Sequence, residues 1–164
     1  MNRVFLVAEI GSCHGGQVDA MMEAIHVAKQ AGADAIKYQW TSSPERLAVR
    51  RHAEEYLDAY HAIAFHPGWL AELKTQCDLV GIEFMCSVYL SSDIARIAPL
   101  VKRFKISSFE SSDEDFLTAH LPYGKPIIIS KGGMTEEELW RLKKWWAAHA
   151  EGPEEDIALL HCVA

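Results

Sequence analysis

Residues 4–40 read VFLVAEIGSCHGGQVDAMMEAIHVAKQAGADAIKYQW, and this stretch decides the fold class. Its apolar run over 4–10 predicts a β-strand that ends at a glycine. Residues 19–31 then carry apolar side chains at helical spacing, with Gly32 as the stop signal. A second apolar run follows over 35–40. Strand, helix and strand in this order predict a βαβ unit with parallel strands.

The same alternation continues along the rest of the sequence. The predicted strands are 4–10, 35–40, 82–89, 104–108, 126–130 and 157–163, and the predicted helices are 19–31, 54–64, 69–80, 92–100, 113–120 and 136–150. Aliphatic strands without polar alternation are typical of parallel sheets that are covered on both faces. Two architectures fit the pattern: a doubly wound sheet, or a (β/α)8 barrel of which about six βα units are present.

Composition narrows the class of protein. The chain has 164 residues, 49% of them hydrophobic and 24% charged, which suits one globular domain. A net charge of −7 argues against nucleic acid as a partner, although a few lysines in a cleft can still attract an anionic small molecule. We expect no membrane partner and a cytoplasmic location, because neither a signal peptide nor a long apolar helix is evident. The four cysteines are interpreted as buried or half-buried free thiols.

Polar side chains cluster where the predicted strands end. Ligands of parallel α/β proteins bind at this edge, because loops and helix N-termini converge there. The clustering therefore predicts an active or binding site at the carboxyl ends of the strands. The candidate residues are Glu9, Lys37, Gln39, Cys86, Ser87, Lys105, Ser107, Ser108, Glu110, Ser130, Lys131 and His161.

Two lysines lie inside apolar strands, Lys37 in AIKYQ and Lys105 in FKI. A buried ammonium group is costly unless an anion or hydrogen bonds compensate its charge. Two such lysines that face one pocket would bind a phosphate and a carboxylate together. The alternative is structural: each lysine pairs with a buried glutamate, or extends to solvent at a sheet edge.

Glu9 and Glu110 end two different strands and are candidates for holding sugar hydroxyls or moving protons. The alternative is a salt bridge with one of the two strand lysines. The turn SKGG at 130–133 follows a strand and precedes a helix, where backbone N–H groups can cradle a phosphate. A plain turn has the same composition. The spacing of the histidines favours no metal site.

Several segments occur together in a recognisable order. They are AEIG at 8–11 with His14 and Gly15, AGADAIKYQ at 31–39, Cys77 before GIEF at 81–84, KISS at 105–108 with Glu110, GKPIIIS at 124–130, and LHC at 160–162. In this series the chain resembles the N-terminal barrel portion of the sialic acid (N-acetylneuraminate) synthase family. Singly the segments are modest signals, but jointly they are specific and span nearly the whole chain.

The resemblance implies a (β/α)8 barrel transferase of N-acetylneuraminate and related carbohydrate biosynthesis. Such an enzyme condenses phosphoenolpyruvate with N-acetylmannosamine or a related amino-sugar to a nonulosonic acid, with a divalent metal (Mn or Mg). By the family pattern, phosphoenolpyruvate would contact Lys37, Ser87, Lys105, Ser108 and Ser130, and the sugar would face Glu9, Gln39 and Glu110. We assign catalytic roles to Glu9, Lys37, Lys105 and Glu110, and substrate binding to Gln39, Ser87, Ser108, Ser130, Lys131 and His161; the metal ligands are expected outside this chain.

The resemblance also leads to expectations about the extent of the domain. We expect residues 1–164 to form a single partial barrel domain without the family's C-terminal antifreeze-like domain, to be inactive alone as a synthase, and to be capable of forming a homo-oligomer. Two other functions remain as alternatives: a different phosphate-handling barrel enzyme, of the aldolase or 3-deoxy-sugar-acid synthase type, and a non-catalytic anion-binding relative. The chain departs from the family at Cys13, where Asn is usual, and at Lys131, where Thr is usual.

Overall fold

The computed structural model describes residues 3–149 and 157–162. Every strand pair in this part of the chain is parallel, so the predicted α/β class with parallel sheets is confirmed. The strands are β1 (Val7–Gly11), β2 (Ala35–Gln39), β3 (Glu83–Ser87), β4 (Phe104–Ile106), β5 (Ile127–Ser130) and β6 (Ile157–Leu160). The α-helices are α1 (Val18–Gln30), α2 (Pro44–Arg51), α3 (Leu57–Ala62), α4 (Trp69–Val80), α5 (Ser91–Ile97), α6 (Glu114–Thr118) and α7 (Glu136–His149), with short 3-10 helices at Glu54–Tyr56 and Leu121–Tyr123.

The chain divides into two compact units, Met1–Val101 and Lys102–Ala164. The first contains the sheet β1-β2-β3 and the second the sheet β4-β5-β6. In both sheets the strands lie in chain order, as right-handed βα steps produce them. That residues 1–164 form one partial barrel domain stays a prediction.

The centre of the first unit is β2, which is buried over its first four residues. Its Tyr38 hydroxyl donates to the backbone oxygen of Met21 in α1 at 2.7 Å, and the indole of Trp40 donates to the Phe65 oxygen at 2.9 Å. Buried aromatic side chains contribute the most apolar area, and their polar atoms need such partners. These two bonds fix how the helices and loops lie on β2.

Helix α2 was not predicted from the sequence, yet its start carries ordinary signals. The hydroxyl of Ser43 accepts from the Arg46 N–H at 3.3 Å, and Pro44 occupies the first helical turn. Both are typical of a helix N-terminus. The helix ends at Arg51, and the next residue, His52, is a non-glycine residue with a positive φ of 48°. Three of its residues are arginines, and only Pro44, Leu47 and Ala48 are buried. The apolar periodicity is therefore too weak to predict the helix from the sequence.

Asp93 lies in the first turn of α5 but does not cap the helix. The helix begins at Ser91, and no side chain caps its N-terminus. The buried Asp93 carboxylate instead accepts a hydrogen bond from the backbone N–H of Ser42 at 2.9 Å. It therefore ties α5 to the loop that follows β2.

The N-terminal strand is unusually open to solvent. Val4, Phe5, Leu6 and Val7 are 73%, 41%, 51% and 38% exposed, although all four are apolar. Within the described chain β1 has one neighbouring strand, β2. The outer edge of this sheet therefore presents apolar side chains to water.

In the second unit, the buried residues Ile127 and Ile129 of β5 lie between β4 and β6. The ring of His120 packs edge-on against Phe104 and Phe116, with centroids 4.7 and 4.8 Å away. Burial lowers the pKa of His120 to about 4, because the aromatic surroundings disfavour the charged form. This histidine is a neutral core residue.

The four thiols differ in exposure. Cys77 and Cys86 are buried, as predicted, and burial raises the pKa of each to about 12. Cys162 is half-buried. Cys13 is exposed, so the prediction was wrong for it: it lies in the turn after β1 rather than in an apolar run. Across the helices that the structure describes, none has the length and apolar content to cross a bilayer.

Candidate functional site

In the first unit, four of the predicted site residues lie at the carboxyl end of the sheet. Strand register places Glu9 beside Lys37, and Gln39 beside Ser87. The Lys37 ammonium forms an ion pair with Glu9 and a hydrogen bond to the Ser87 hydroxyl at 3.4 Å. These side chains share one face, because Lys37 and Gln39 are two residues apart on a strand.

The Glu9–Lys37 pair is asymmetric in its exposure. The side chain of Lys37 is 7% exposed, whereas that of Glu9 is 47% exposed. The salt bridge considered from the sequence as the structural alternative is therefore present. Since the carboxylate reaches solvent and the ammonium does not, Glu9 can move away more easily than Lys37.

Gly11 brings the other groups of this cluster together. Its φ is +55°, a conformation that glycine adopts without strain. A Cβ at Gly11 would lie 3.5 Å from Nε2 of Gln39 and 3.7 Å from Oε1 of Glu9. The amide and the carboxylate thus face the same small space beside the turn. We name Glu9, Lys37, Gln39 and Ser87 the first cluster.

In the second unit, a second cluster forms at the carboxyl ends of β4, β5 and β6. The Lys105 ammonium donates to the Ser130 hydroxyl at 2.6 Å and to the backbone oxygen of Ile106 at 2.7 Å. The Cys162 thiol donates to the same Ser130 oxygen at 3.3 Å. We name Lys105, Ser108, Ser130 and Cys162 the second cluster. Ser108 belongs to it because its hydroxyl and Cys162 both lie close to Gly132.

Gly132 lies close to both Ser108 and Cys162, so its position leaves no room for a side chain. A Cβ at this position would lie 2.7 Å from the Ser108 hydroxyl oxygen, and 3.3 Å from both the Cβ and the backbone oxygen of Cys162. The first distance is shorter than real side chains tolerate, so any larger residue would displace Ser108. The SKGG turn therefore uses Gly132 for close approach.

Glu110 is buried, with 1% of its surface exposed. The hydroxyl of Ser107 donates to its carboxylate. Ser107 is thereby occupied within the turn that follows β4, and Ser111 holds the same turn by donating to the Ser108 backbone oxygen at 2.7 Å. The turn holds Ser108 next to the second cluster.

The other two predicted residues lie at the margin of the second unit's site. The backbone N–H of Lys131 donates to the Leu160 oxygen at 2.9 Å, and its side chain is half-buried. His161 is exposed. Which of the predicted site residues act on a substrate stays a prediction.

Two residues near the strand ends were not assigned roles from the sequence. Cys162 was expected to be a passive thiol, and no sequence signal indicates that it contacts Ser130 across two strands. His14 is 3% exposed, and its Nδ1 accepts from the Gly16 N–H at 3.0 Å. Its Nε2 has no hydrogen-bond partner among the described residues. Burial lowers the pKa of His14, which favours the neutral ring.

Over 3–149 and 157–162, no group of three or more His, Cys, Asp or Glu side chains is arranged to hold an ion. The buried carboxylates Glu110 and Asp93 are each engaged by a serine, through the Ser107 hydroxyl and the Ser42 N–H. The side chains that the structure describes therefore do not fit a divalent metal.

The fold and the two clusters define a parallel α/β protein whose charged groups gather at the carboxyl ends of its strands. Comparison with known proteins makes the class specific: the chain belongs to the NeuB family, which matches residues 24–164. The resemblance to sialic acid synthases is thereby confirmed.

Curated relatives are similar to this chain over about half of their own length. Pseudaminic acid synthase of Campylobacter jejuni is 29% identical over 177 residues, covering 99% of this chain and 50% of the relative. N-acetylneuraminate-9-phosphate synthase of Drosophila melanogaster is 25% identical, covering 100% of this chain and 46% of the relative. The chain therefore spans about half the length of the curated relatives it matches.

Solved structures agree with this assignment. The N-acetylneuraminic acid synthetase of Leptospira borgpetersenii, crystallised with citrate, superposes with a TM-score of 0.87 at 25% identity, over 99% of this chain and 55% of that one. A truncated 3-deoxy-D-arabino-heptulosonate 7-phosphate synthase of Thermotoga maritima gives a TM-score of 0.69 at 16% identity, over 94% of this chain and 50% of that one. The second likeness concerns the fold alone.

Proposed function

We propose that the chain carries the phosphoenolpyruvate-binding part of a synthase that makes a nonulosonic acid from phosphoenolpyruvate and an amino-sugar. The hydrogen bond between Lys105 and Ser130, in a cluster at the strand ends of a NeuB-family chain, carries the proposal. In this reaction the methylene carbon of phosphoenolpyruvate attacks the sugar aldehyde, water adds to the adjacent carbon, and phosphate leaves. The proposed fold of the whole enzyme is a (β/α)8 barrel to which this chain contributes six βα units.

The second cluster is suited to an anion by its chemistry. An ammonium group has donors only, and each of the two hydroxyls can donate one hydrogen bond to a phosphate or carboxylate, which has acceptors only. Lys105 donates to the Ser130 hydroxyl and to the backbone oxygen of Ile106, and these two bonds hold its nitrogen at the ends of the strands.

The first cluster is a separate set of proposed contacts in its own unit. Lys37 and Ser87 would bind an anionic group, Glu9 would accept hydrogen bonds from sugar hydroxyls, and Gln39 would donate hydrogen bonds to them. Glu110 is proposed to face the sugar, and Lys131 and His161 to contact substrate at the margin. A divalent metal, which the resemblance implies, would have to be held by residues outside this chain; the residues described here would bind, orient and neutralise phosphoenolpyruvate.

Calorimetry of the chain with phosphoenolpyruvate, with and without a chelator, tests this proposal. We expect saturable binding that does not need metal. Lys105→Met should weaken it by at least about tenfold, because a charge-assisted hydrogen bond is lost. Lys102→Met is the matched control, since Lys102 is exposed and lies three residues away in the same unit.

Three results would contradict the proposal. One is an absence of binding, another is equal loss in both lysine variants, and the third is trapping of substrate on Lys105 by borohydride. The last result would support the aldolase alternative.

A further inference from the structure

The Ser130 hydroxyl oxygen accepts two hydrogen bonds. Lys105 Nζ lies 2.6 Å away and Cys162 Sγ lies 3.3 Å away. A hydroxyl has two acceptor lone pairs and one proton. Both lone pairs are therefore occupied, and the proton is what remains to form a further bond.

That proton has no protein acceptor in the part of the chain that the structure describes. Ser130 is the last residue of β5, and 5% of its surface is exposed. A buried hydroxyl proton without an acceptor is costly, so the position favours a ligand that supplies one. An anion does so.

The backbone holds Cys162 where it can make this contact. Ser130 pairs with Leu160 in the β5–β6 register, and the N–H of Lys131 donates to the Leu160 oxygen at 2.9 Å. Two residues later, Cys162 lies against Gly132, which has no side chain to push it away. The thiol thus reaches Ser130 from the end of a neighbouring strand.

We propose that Cys162 is a positioning residue: its thiol donates to the Ser130 oxygen and so directs the Ser130 proton towards a bound phosphate or carboxylate. The inference rests on the proposed function and adds to it a residue that need not touch the substrate. Without the thiol, the second lone pair would be open and only the bond from Lys105 would restrict rotation of the hydroxyl. A bound anion would then have to fix that rotation itself, which weakens binding.

Two substitutions separate positioning from packing. Cys162→Ala removes the donor, and Cys162→Ser keeps a donor of similar size. We expect calorimetry with phosphoenolpyruvate to show an affinity about three- to tenfold lower for the alanine variant, the effect of one modest hydrogen bond. The serine variant should stay within about twofold of the unaltered chain. Cys13→Ala, which removes an exposed thiol in the other unit, is the control.

The hydrogen bond itself has a spectroscopic signature that does not depend on ligand. The difference between Raman spectra of the unaltered chain and of Cys162→Ala isolates the S–H stretching band of Cys162. We expect this band to move to higher frequency in Ser130→Ala, because a thiol that loses its acceptor has a stronger S–H bond.

The outcomes separate the two proposals. If the unaltered chain does not bind phosphoenolpyruvate, the proposed function fails, and the S–H band alone decides whether the thiol holds Ser130. If the chain binds but Cys162→Ala binds equally well, the positioning role is overturned and the proposed function stands. An S–H band that Ser130→Ala leaves unmoved overturns the positioning role in either case.

Discussion

Because Glu9 forms an ion pair with Lys37, neutralising Glu9 is expected to lower the stability of the chain and to raise its affinity for an anion. In Glu9→Gln the charge of the partner is removed, while the ammonium of Lys37 stays buried with 7% of its side chain exposed. Removing one partner of a fully buried pair costs about 3–5 kcal/mol. Glu9 is 47% exposed and already screened by water, and glutamine can still accept a hydrogen bond, so about 1–2 kcal/mol is expected here.

Hydrogen exchange measured by mass spectrometry suits this prediction, because the two compact units can be followed separately. Protection of β2 and β3 should fall by about five- to thirtyfold, the equivalent of that free energy. Protection of β4 and β5 should not change, and these strands serve as an internal control. Glu23→Gln, a neutralisation at an exposed position of α1, is the matched variant.

The affinity for phosphoenolpyruvate should rise in Glu9→Gln, although the stability falls. With Glu9 no longer competing for Lys37, phosphoenolpyruvate should bind the Glu9→Gln chain more tightly than the unaltered chain. If exchange in β2 is unchanged, Lys37 does not depend on Glu9. If affinity falls instead of rising, Glu9 is not a competitor, and the proposed role of Lys37 in binding the anion is refuted.

Three further outcomes are expected. In Gly132→Ala, the new Cβ would displace the hydroxyl of Ser108, so phosphoenolpyruvate affinity measured by calorimetry should fall by about tenfold; unchanged affinity would exclude Ser108 from the site. The pKa of His120 is lowered to about 4, so its contribution to stability is complete above its unfolded pKa of about 6.5 and is lost as the pH falls from there to about 4. In urea unfolding, the stability of His120→Leu should therefore depend less on pH over this range than the stability of the unaltered chain. An equal pH dependence of the two would contradict the assignment of His120 as a neutral core residue. Because the pKa values of Cys77 and Cys86 are raised to about 12, iodoacetamide at pH 8 should modify neither until urea unfolds the chain; modification in the folded state would show that their burial is wrong.

The sequence was sufficient for the parts of the fold that local signals determine. Strand β2 and helix α4 lie within a residue of their predicted bounds. Strand β2 is a short, largely apolar segment, and α4 has a periodic apolar pattern that is closed by Gly81. Helix α2 was missed, although Ser43 and Pro44 mark its start, because arginines occupy most of its exposed face. Short helices with few buried positions carry too little periodicity to be recognised.

The candidate site was predicted by chain position, but its contacts depend on register. The sequence placed Glu9 and Lys37 in the predicted site, where either substrate binding or a salt bridge between them was possible. The pairing of β1 with β2 brings the two side chains together as an ion pair. Contact between Cys162 and Ser130 depends on a neighbouring strand and on Gly132, which no local pattern encodes. The side chains of a site come from the ends of several strands, so their distances follow from tertiary structure.

The open edge of β1 has a practical consequence for all of these measurements. The apolar side chains of residues 4–7 form an exposed apolar patch, so self-association and poor solubility are expected at high concentration. Phosphate and sulfate strengthen apolar association, since they are excluded from protein surfaces. Phosphate buffer would therefore both compete for the lysines and promote precipitation, and dilute protein in a buffer of weakly hydrated monovalent ions is the better choice for titration.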